Sequence, residues 1–153
     1  SVVYNHNFKS SNYTNPQDPS FDNVLLEELG NPKDEFVFDA DVTVGAVTFG
    51  YRGRFISPMY LNTYEDYNSV GGRAPENADY ADIRKYPAIT YHALRMEWNL
   101  RDLAGRGKDF QFFSGVDNVF DQHPPLGSTG TGSGSSIYDV RGRAFYAGFR
   151  ARY

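Results

Sequence analysis

Cysteine is absent from the 153-residue chain, which excludes a disulfide framework and metal sites built on thiolates. No run of about 18 apolar residues occurs, so the sequence predicts no membrane-spanning helix. Basic residues are fewer than acidic ones, 15 against 19, and the net charge of −4 argues against a nucleic-acid-binding surface. The first residues, SVVYNHNF, lack the basic segment and apolar run of a signal peptide, and we expect the chain to begin within a strand.

Motifs for catalysis and for metal binding are also missing. The three histidines, His6, His92 and His123, are too far apart to match a metal-ligand spacing. The serines of 127–136 form no G-x-S-x-G motif, and GSTGTGSGSS lacks the lysine of a phosphate-binding loop. The sequence therefore predicts no enzyme, no cofactor and no metal ion.

Aromatic residues are abundant, with 12 Tyr and 12 Phe, and many of them alternate with polar residues. The last nine residues, from Phe145 to Tyr153, show this period of two most clearly. Because successive side chains of a strand point to opposite faces, this segment presents one apolar face and one face with arginines. A tilted strand of about 9–11 residues crosses a bilayer. This segment alone is equally typical of an edge strand in a soluble β-sandwich.

The whole chain reads as one domain, 1–153, with six strands. We predict strands over 1–13, 34–45, 47–61, 87–100, 108–121 and 145–153, and a helical turn or two within 21–30, capped by Asp22 and ended by Gly30. The connections alternate between long and short. In an antiparallel up-and-down sheet, the three long connections then lie at one end and the two tight turns at the other.

This arrangement favours a transmembrane β-barrel, with a soluble antiparallel β-sandwich binding module as the alternative. Six strands are fewer than the usual minimum of about eight for such a barrel. An open sheet in lipid would leave two rows of unpaired backbone groups. We therefore expect further strands, either from a larger barrel of which this is the C-terminal part or from another chain.

Two motifs near the C-terminus carry a family resemblance. Asn118-Val119-Phe120-Asp121 matches an N-[VL]-F-D motif, and the segment from Tyr138 to Gly148 matches Y-D-x-x-G-R-x-[FY]-Y-x-G, with the chain ending on the aromatic Tyr153. Residues 115–153 thus resemble the C-terminal end of TonB-dependent outer-membrane receptors. Residues 59–95 are also similar to a loop and strand of this family, whereas 1–33 resembles it only in pattern.

The resemblance implies a receptor of about 22 strands with a plugged lumen, in the outer membrane of a Gram-negative bacterium. Such a receptor binds a scarce extracellular ligand and imports it when the TonB complex acts on the plug domain. The plug and about sixteen strands have no counterpart in 1–153. The implied partners are those strands and the plug, the TonB complex through the plug, lipid and lipopolysaccharide, and a small-molecule or glycan ligand, but no nucleic acid.

Three sets of candidate residues follow. Charged residues on the face opposite the apolar one are expected to face the lumen, where they either pair across strands or contact the plug: Asp39, Asp41, Arg52, Arg54, Arg95, Glu97, Asp117, Arg150 and Arg152. Aromatic rings beside carboxylates and amides in the second long connection suit, for the loop as a whole, a sugar or chelate, or a Ca²⁺ ion, whereas a solvated outer loop is the favoured explanation for any single residue: Tyr64, Glu65, Asp66, Tyr67, Asn77, Asp79 and Tyr80. Trp98 and Tyr153 are expected at the membrane interface.

Arg141 and Arg143 form a further candidate site. They share odd parity with the apolar residues of the last strand but precede its apolar band. They either meet lipopolysaccharide phosphates or are turned inward by a β-bulge.

Overall fold

A computed structural model describes residues 1–12, 23–63, 83–100, 109–125 and 137–152. The strands in chain order are β1 (Val2–His6), β2 (Ser11–Asn12), β3 (Asn23–Val24), β4 (Asp34–Val44), β5 (Val47–Ile56), β6 (Met59–Tyr60), β7 (Lys85–Tyr86), β8 (Ile89–Leu100), β9 (Asp109–Asp117) and β10 (Ala144–Arg152). Six of them form one sheet in the order β1-β4-β5-β8-β9-β10, and every neighbouring pair is antiparallel. The prediction of an all-β, antiparallel up-and-down sheet is confirmed.

The sheet is open. Strands β1 and β10 lie at its two edges and each pairs with a single neighbour. The six strands therefore do not close into a barrel by themselves. The four short strands form two separate two-stranded sheets, β2 with β3 and β6 with β7, within the long connections.

The alternation of apolar and polar residues becomes two distinct faces of the sheet. Residues that are paired across antiparallel strands project to the same side, and the register pairs Val42 with Phe49, Phe49 with Met96 and Phe112 with Phe149. We call this side the apolar face and the opposite side the polar face. Phe49 is 52% exposed, Phe112 37% and Phe149 80%, so the described residues leave the apolar face uncovered.

The long connections sort to one end of the sheet, as the alternation of lengths predicts. The residue pairs His6–Asp34, Ile56–Ile89 and Asp117–Ala144 mark the end from which all three long connections leave, which we call the loop end. The opposite end, the turn end, holds the two-residue turn between β4 and β5. Gly45 there has φ = 61°, a left-handed conformation that glycine adopts without steric cost.

Several predicted boundaries are wrong. The first strand ends at His6, because Ser11–Asn12 pairs with β3 instead of continuing along β4. Strand β5 ends at Ile56, and Met59–Tyr60 forms β6. Strand β9 ends at Asp117 rather than at 121, because Asn118 has φ = 50° and starts a turn.

The helical turn predicted within 21–30 is wrong over its described part, 23–30. Glu27 and Gly30 have φ values of 69° and 103°, which an α-helix does not allow. Besides local turn bonds, two backbone bonds run to another segment: Leu29 N donates to Tyr60 O and Tyr60 N donates to Glu27 O. Asp22, the predicted cap, lies outside the described residues. No helix within these ranges is long and apolar enough to cross a membrane.

Candidate functional site

Ion pairs between strands cover the polar face. The Arg52 Nε lies 2.6 Å from Asp39 Oδ1, and Arg95 Nη2 lies 2.7 Å from Asp41 Oδ1. A third pair joins Arg54 Nη2 to Glu35 Oε1 at 2.7 Å. Because these side chains remain partly exposed, each pair contributes at most about 1 kcal/mol to stability.

The remaining predicted polar-face charges follow the same register. Glu97 accepts a hydrogen bond from Gln111 Nε2 at 3.2 Å, and Gln111 Oε1 accepts one from Arg150 Nη1 at 3.4 Å. Asp117 pairs with Ala144 at the loop end. Eight of the nine predicted residues thus share this face. Arg152 pairs with position 109 on the backbone, and its side chain lies outside the described part.

A small cleft opens in the polar face where β4, β5, β8 and β9 run side by side. Its volume is about 90 Å³, and the charged residues lining it are Asp39, Arg52, Arg95 and Asp117. Gly50 and Tyr146 also line it. The cleft offers carboxylate acceptors and guanidinium donors together, so it suits a polar, hydrogen-bonding partner rather than an apolar one.

Two aromatic rings of the polar face lie over glycines of the neighbouring strand. A Cβ on Gly148 would approach Phe113 Cζ to 2.5 Å, and a Cβ on Gly115 would collide with the ring of Tyr146. Both glycines are the direct cross-strand partners of those rings. The absence of a side chain thus lets the rings lie flat on the sheet and fixes the register of β9 against β10.

The three long connections converge on one hydrophobic cluster at the loop end, which we call the loop pack. Its buried members are Ile56, Met59, Ile89, Tyr91 and Tyr138, with Leu29 and Ile137 packed against them. Each long connection supplies at least one of these side chains. The connections therefore pack against one another and against the polar face of the sheet.

Hydrogen bonds tie the loop pack together. Thr63 is fully buried, and its hydroxyl donates to Glu28 Oε2 at 3.0 Å and also contacts Val24 O. Arg54 Nη1 donates to Ile137 O at 3.1 Å, which links the polar-face ion pairs to the third long connection. Asp139 N donates to the Tyr91 hydroxyl at 3.2 Å.

Tyr138 belongs to the loop pack and is only 4% exposed. Its hydroxyl has no hydrogen-bond partner among the described residues. Burial, together with the nearby Tyr91 and Tyr86 hydroxyls, raises the pKa of Tyr138 to about 12. The phenol is therefore held neutral. In the sequence, Tyr138 belongs to the second C-terminal motif, and no role was predicted for it. The only sequence signal for a role was the presence of an aromatic residue just before β10.

The motif Asn118-Val119-Phe120-Asp121 forms a tight turn after β9. The Asn118 side chain accepts a hydrogen bond from Gln122 N at 2.8 Å and donates one to Gln122 O at 2.9 Å. Asp121 also has a positive φ, of 54°. Asn and Asp are the residues that tolerate this conformation best, which explains why they occupy the two ends of the motif.

Of the residues predicted at the membrane interface and in the ligand site, the structure describes only Trp98. Trp98 lies on the apolar face near the turn end, opposite Val47 and Phe112, and is 44% exposed. Tyr153 lies outside the described residues. So does the whole predicted ligand-contact set, Tyr64, Glu65, Asp66, Tyr67, Asn77, Asp79 and Tyr80.

The described residues contain no group of three or more His, Asp or Glu side chains that could hold a metal ion. No family model, curated protein or solved structure matches the chain. The resemblance to TonB-dependent receptors therefore rests on the two C-terminal motifs and the central segment in the sequence.

Proposed function

We propose that the chain forms part of the wall of a transmembrane β-barrel in the outer membrane, belonging to a receptor that binds a scarce extracellular ligand and imports it with energy from the TonB complex. The observation that supports this most is the uncovered apolar face spanning six strands. In a soluble sandwich, a second sheet would bury that face, and the described residues supply no such sheet. Lipid acyl chains would cover it without any further protein.

Strand length agrees with this proposal. Strands β4, β5, β8, β9 and β10 have 11, 10, 12, 9 and 9 residues. A tilted strand of about 9–11 residues crosses the hydrocarbon core. The five-residue β1 is too short, and the free edges of β1 and β10 require additional strands before the sheet can remain in lipid.

The polar face would then line a water-filled lumen. Its ion pairs hold Asp39, Asp41, Arg52 and Arg95 in fixed positions. A plug domain would contact these charges and the cleft between them. The loop pack would narrow the outer mouth of the barrel, and a ligand held by the loop tips would rest above it.

Spin labelling tests the membrane orientation, because residues 1–153 contain no cysteine and any label bound elsewhere in the receptor is subtracted using the unsubstituted protein. A nitroxide at Phe49→Cys should collide with oxygen dissolved in the bilayer and avoid an aqueous nickel complex. A nitroxide at the neighbouring Thr48→Cys, on the polar face, should show the opposite preference. A label at position 49 that meets neither quencher would indicate a covered sandwich core and contradict the proposal.

Import is tested in cells. Cells that lack the protein should fail to grow when one nutrient class, such as ferric siderophore, cobalamin or a glycan, is scarce, and cells that lack the TonB complex should show the same failure. An uptake defect that is independent of TonB would contradict the coupling.

A further inference from the structure

Two aromatic rings lie on the polar face at successive levels of β9 and β10. Tyr146 extends over Gly115 and Phe113 extends over Gly148, so each ring occupies the space that a glycine leaves. Because a strand rises about 3.3 Å per residue, the two levels lie about 7 Å apart along the sheet. We call this pair of rings, Tyr146 and Phe113, the aromatic strip.

The aromatic strip is open to solvent. A ring that lies flat on a glycine keeps one face against the backbone and turns the other face outward. Tyr146 is 41% exposed, and Phe113 is half-buried. The strip therefore presents aromatic surface on a face whose other side chains are mostly polar.

Hydrogen-bonding groups flank the aromatic strip at both ends. Toward the turn end lie Gln111 and Arg150, joined by a bond of 3.4 Å that is near the upper limit for a hydrogen bond. Toward the loop end, Asp117 lines the cleft together with Arg52 and Tyr146. Within the described ranges, neither the Asp117 carboxylate nor the Tyr146 hydroxyl has a hydrogen-bond partner. A ligand on the strip would thus meet ring faces in the middle and available donors and acceptors at the ends.

The charges beside the aromatic strip nearly cancel. Both arginines of the cleft are held by aspartates, at 2.6 Å and 2.7 Å. The charges at the two ends of the strip, Arg150 and Asp117, have opposite signs. The arginines that precede β10, Arg141 and Arg143, each lie beside a carboxylate, at 3.7 Å and 3.9 Å. A strongly anionic chelate or a polycation would meet no surplus of opposite charge here, so the strip suits an uncharged ligand.

We propose that the aromatic strip binds an uncharged linear glycan, and that the ligand imported by the receptor belongs to this class. This inference rests on the proposed function, in which the polar face lines the lumen. One face of a sugar ring presents C–H bonds, which pack on the electron-rich face of an aromatic ring. The hydroxyl groups at its edge donate and accept hydrogen bonds, so they match Asp117, Gln111 and Arg150. A sugar chain lying along β9 would stack on Phe113 and Tyr146 and bond at both ends.

Calorimetric titration of the full receptor in detergent tests this inference. The probes are linear, uncharged tetrasaccharides: cellotetraose, maltotetraose, mannotetraose and xylotetraose. At least one should bind, and Phe113→Leu and Tyr146→Leu should each weaken its binding about tenfold, since leucine keeps the apolar volume but removes the ring face. Phe113→Tyr keeps the ring and should bind as the unchanged protein does.

The matched control replaces two rings of the same strands on the apolar face, Phe112→Leu with Phe145→Leu, and should leave glycan affinity unchanged. Equal losses in this control and in the strip variants would show that the strip is not the glycan site. Failure of all four tetrasaccharides to bind would exclude this ligand class. Binding of ferric citrate, an anionic chelate, in place of the sugars would also overturn the inference.

The spin-label experiment at position 49 separates this inference from the proposed function. A label that meets oxygen in the bilayer, in a receptor that binds no tetrasaccharide, would contradict only the glycan inference. A label covered by protein, in a receptor whose strip still binds a tetrasaccharide, would contradict the membrane receptor and leave the sugar site in place.

Discussion

Arg95 reaches across the backbone of Gly50 to hold Asp41, with its Nη2 atom 2.7 Å from Oδ1 and 2.8 Å from Oδ2. The two charged residues lie on strands that are not neighbours, since β5 runs between β4 and β8. The contact exists because Gly50 has no side chain. A Cβ there would lie 2.5 Å from Arg95 Cγ and 2.6 Å from Asp41 Oδ1.

Gly50→Ala should therefore break the ion pair and shift the Arg95 side chain. We expect a loss of about 1–3 kcal/mol in the free energy of unfolding, which is typical of an overpacked site. Urea unfolding in detergent micelles measures it. The double variant Asp41→Asn with Arg95→Gln removes only the ion pair, so it should lose less than about 1 kcal/mol. A smaller loss for Gly50→Ala than for this control would contradict the steric argument.

The ring of Phe113 over Gly148 predicts a coupling between the two positions. Gly148→Ala alone should destabilise the protein by about 1–3 kcal/mol, because the new methyl group meets the ring at 2.5 Å. In a Phe113→Ala background, the same change should cost much less, because no ring remains to collide. A double-mutant cycle of thermal unfolding measures the coupling. Purely additive effects would show that the ring does not rest on Gly148.

The Tyr138 hydroxyl, which has no hydrogen-bond partner among the described residues, should be dispensable. A buried polar group without a hydrogen bond costs about 1–3 kcal/mol, so Tyr138→Phe is expected to leave stability unchanged or raise it by about 1 kcal/mol. Tyr91→Phe is the matched control. It removes a hydroxyl that accepts a bond from Asp139 N and should cost about 1 kcal/mol. Equal losses in both variants would mean that the Tyr138 hydroxyl has a partner in solution.

The stability of the loop pack should fall at high pH. Burial raises the pKa of Tyr138 to about 12, above the usual value of about 10 for an unfolded chain. Between these two values, the unfolded chain releases a proton that the folded chain keeps, so the contribution to stability is complete below about pH 10 and lost as the pH approaches 12. The ultraviolet absorbance of phenolate reports the ionisation. The Tyr138→Phe variant should lack the phenol ionisation that occurs at the highest pH. If the ionisation that it lacks lies near pH 10 instead, the Tyr138 side chain is not buried.

The sheet could be predicted from sequence because its signal is local. Alternation over Asp34–Val44 and Val47–Ile56 fixed the two faces, and the lengths of the connections fixed which ends they share. Strand ends were less predictable. Asn118 continues the alternation of β9, yet its left-handed backbone begins a turn, and alternation alone does not distinguish these possibilities.

The loop pack could not be predicted for a different physical reason. Leu29, Met59 and Tyr138 are far apart in the chain and meet only after three connections fold onto the sheet. Glu28 and Thr63 are hydrogen-bonded to each other, but no repeating spacing in the sequence relates them. The polar-face ion pairs are easier to predict from sequence, since antiparallel pairing places Asp39 opposite Arg52 once the strands are known.

The fluorescence of Trp98, taken as the difference between the unchanged protein and its Trp98→Phe variant, is the sharpest test of the membrane orientation, because Trp98 is the only tryptophan of residues 1–153 and lies on the apolar face. In vesicles whose lipid acyl chains carry bromine, we expect strong quenching of Trp98 and weak quenching by iodide dissolved in the water. Fluorescence that bromine leaves unchanged and iodide quenches would place the apolar face in water, and fluorescence that neither reagent affects would place it beneath other protein. Either result would rule out an apolar face in contact with lipid.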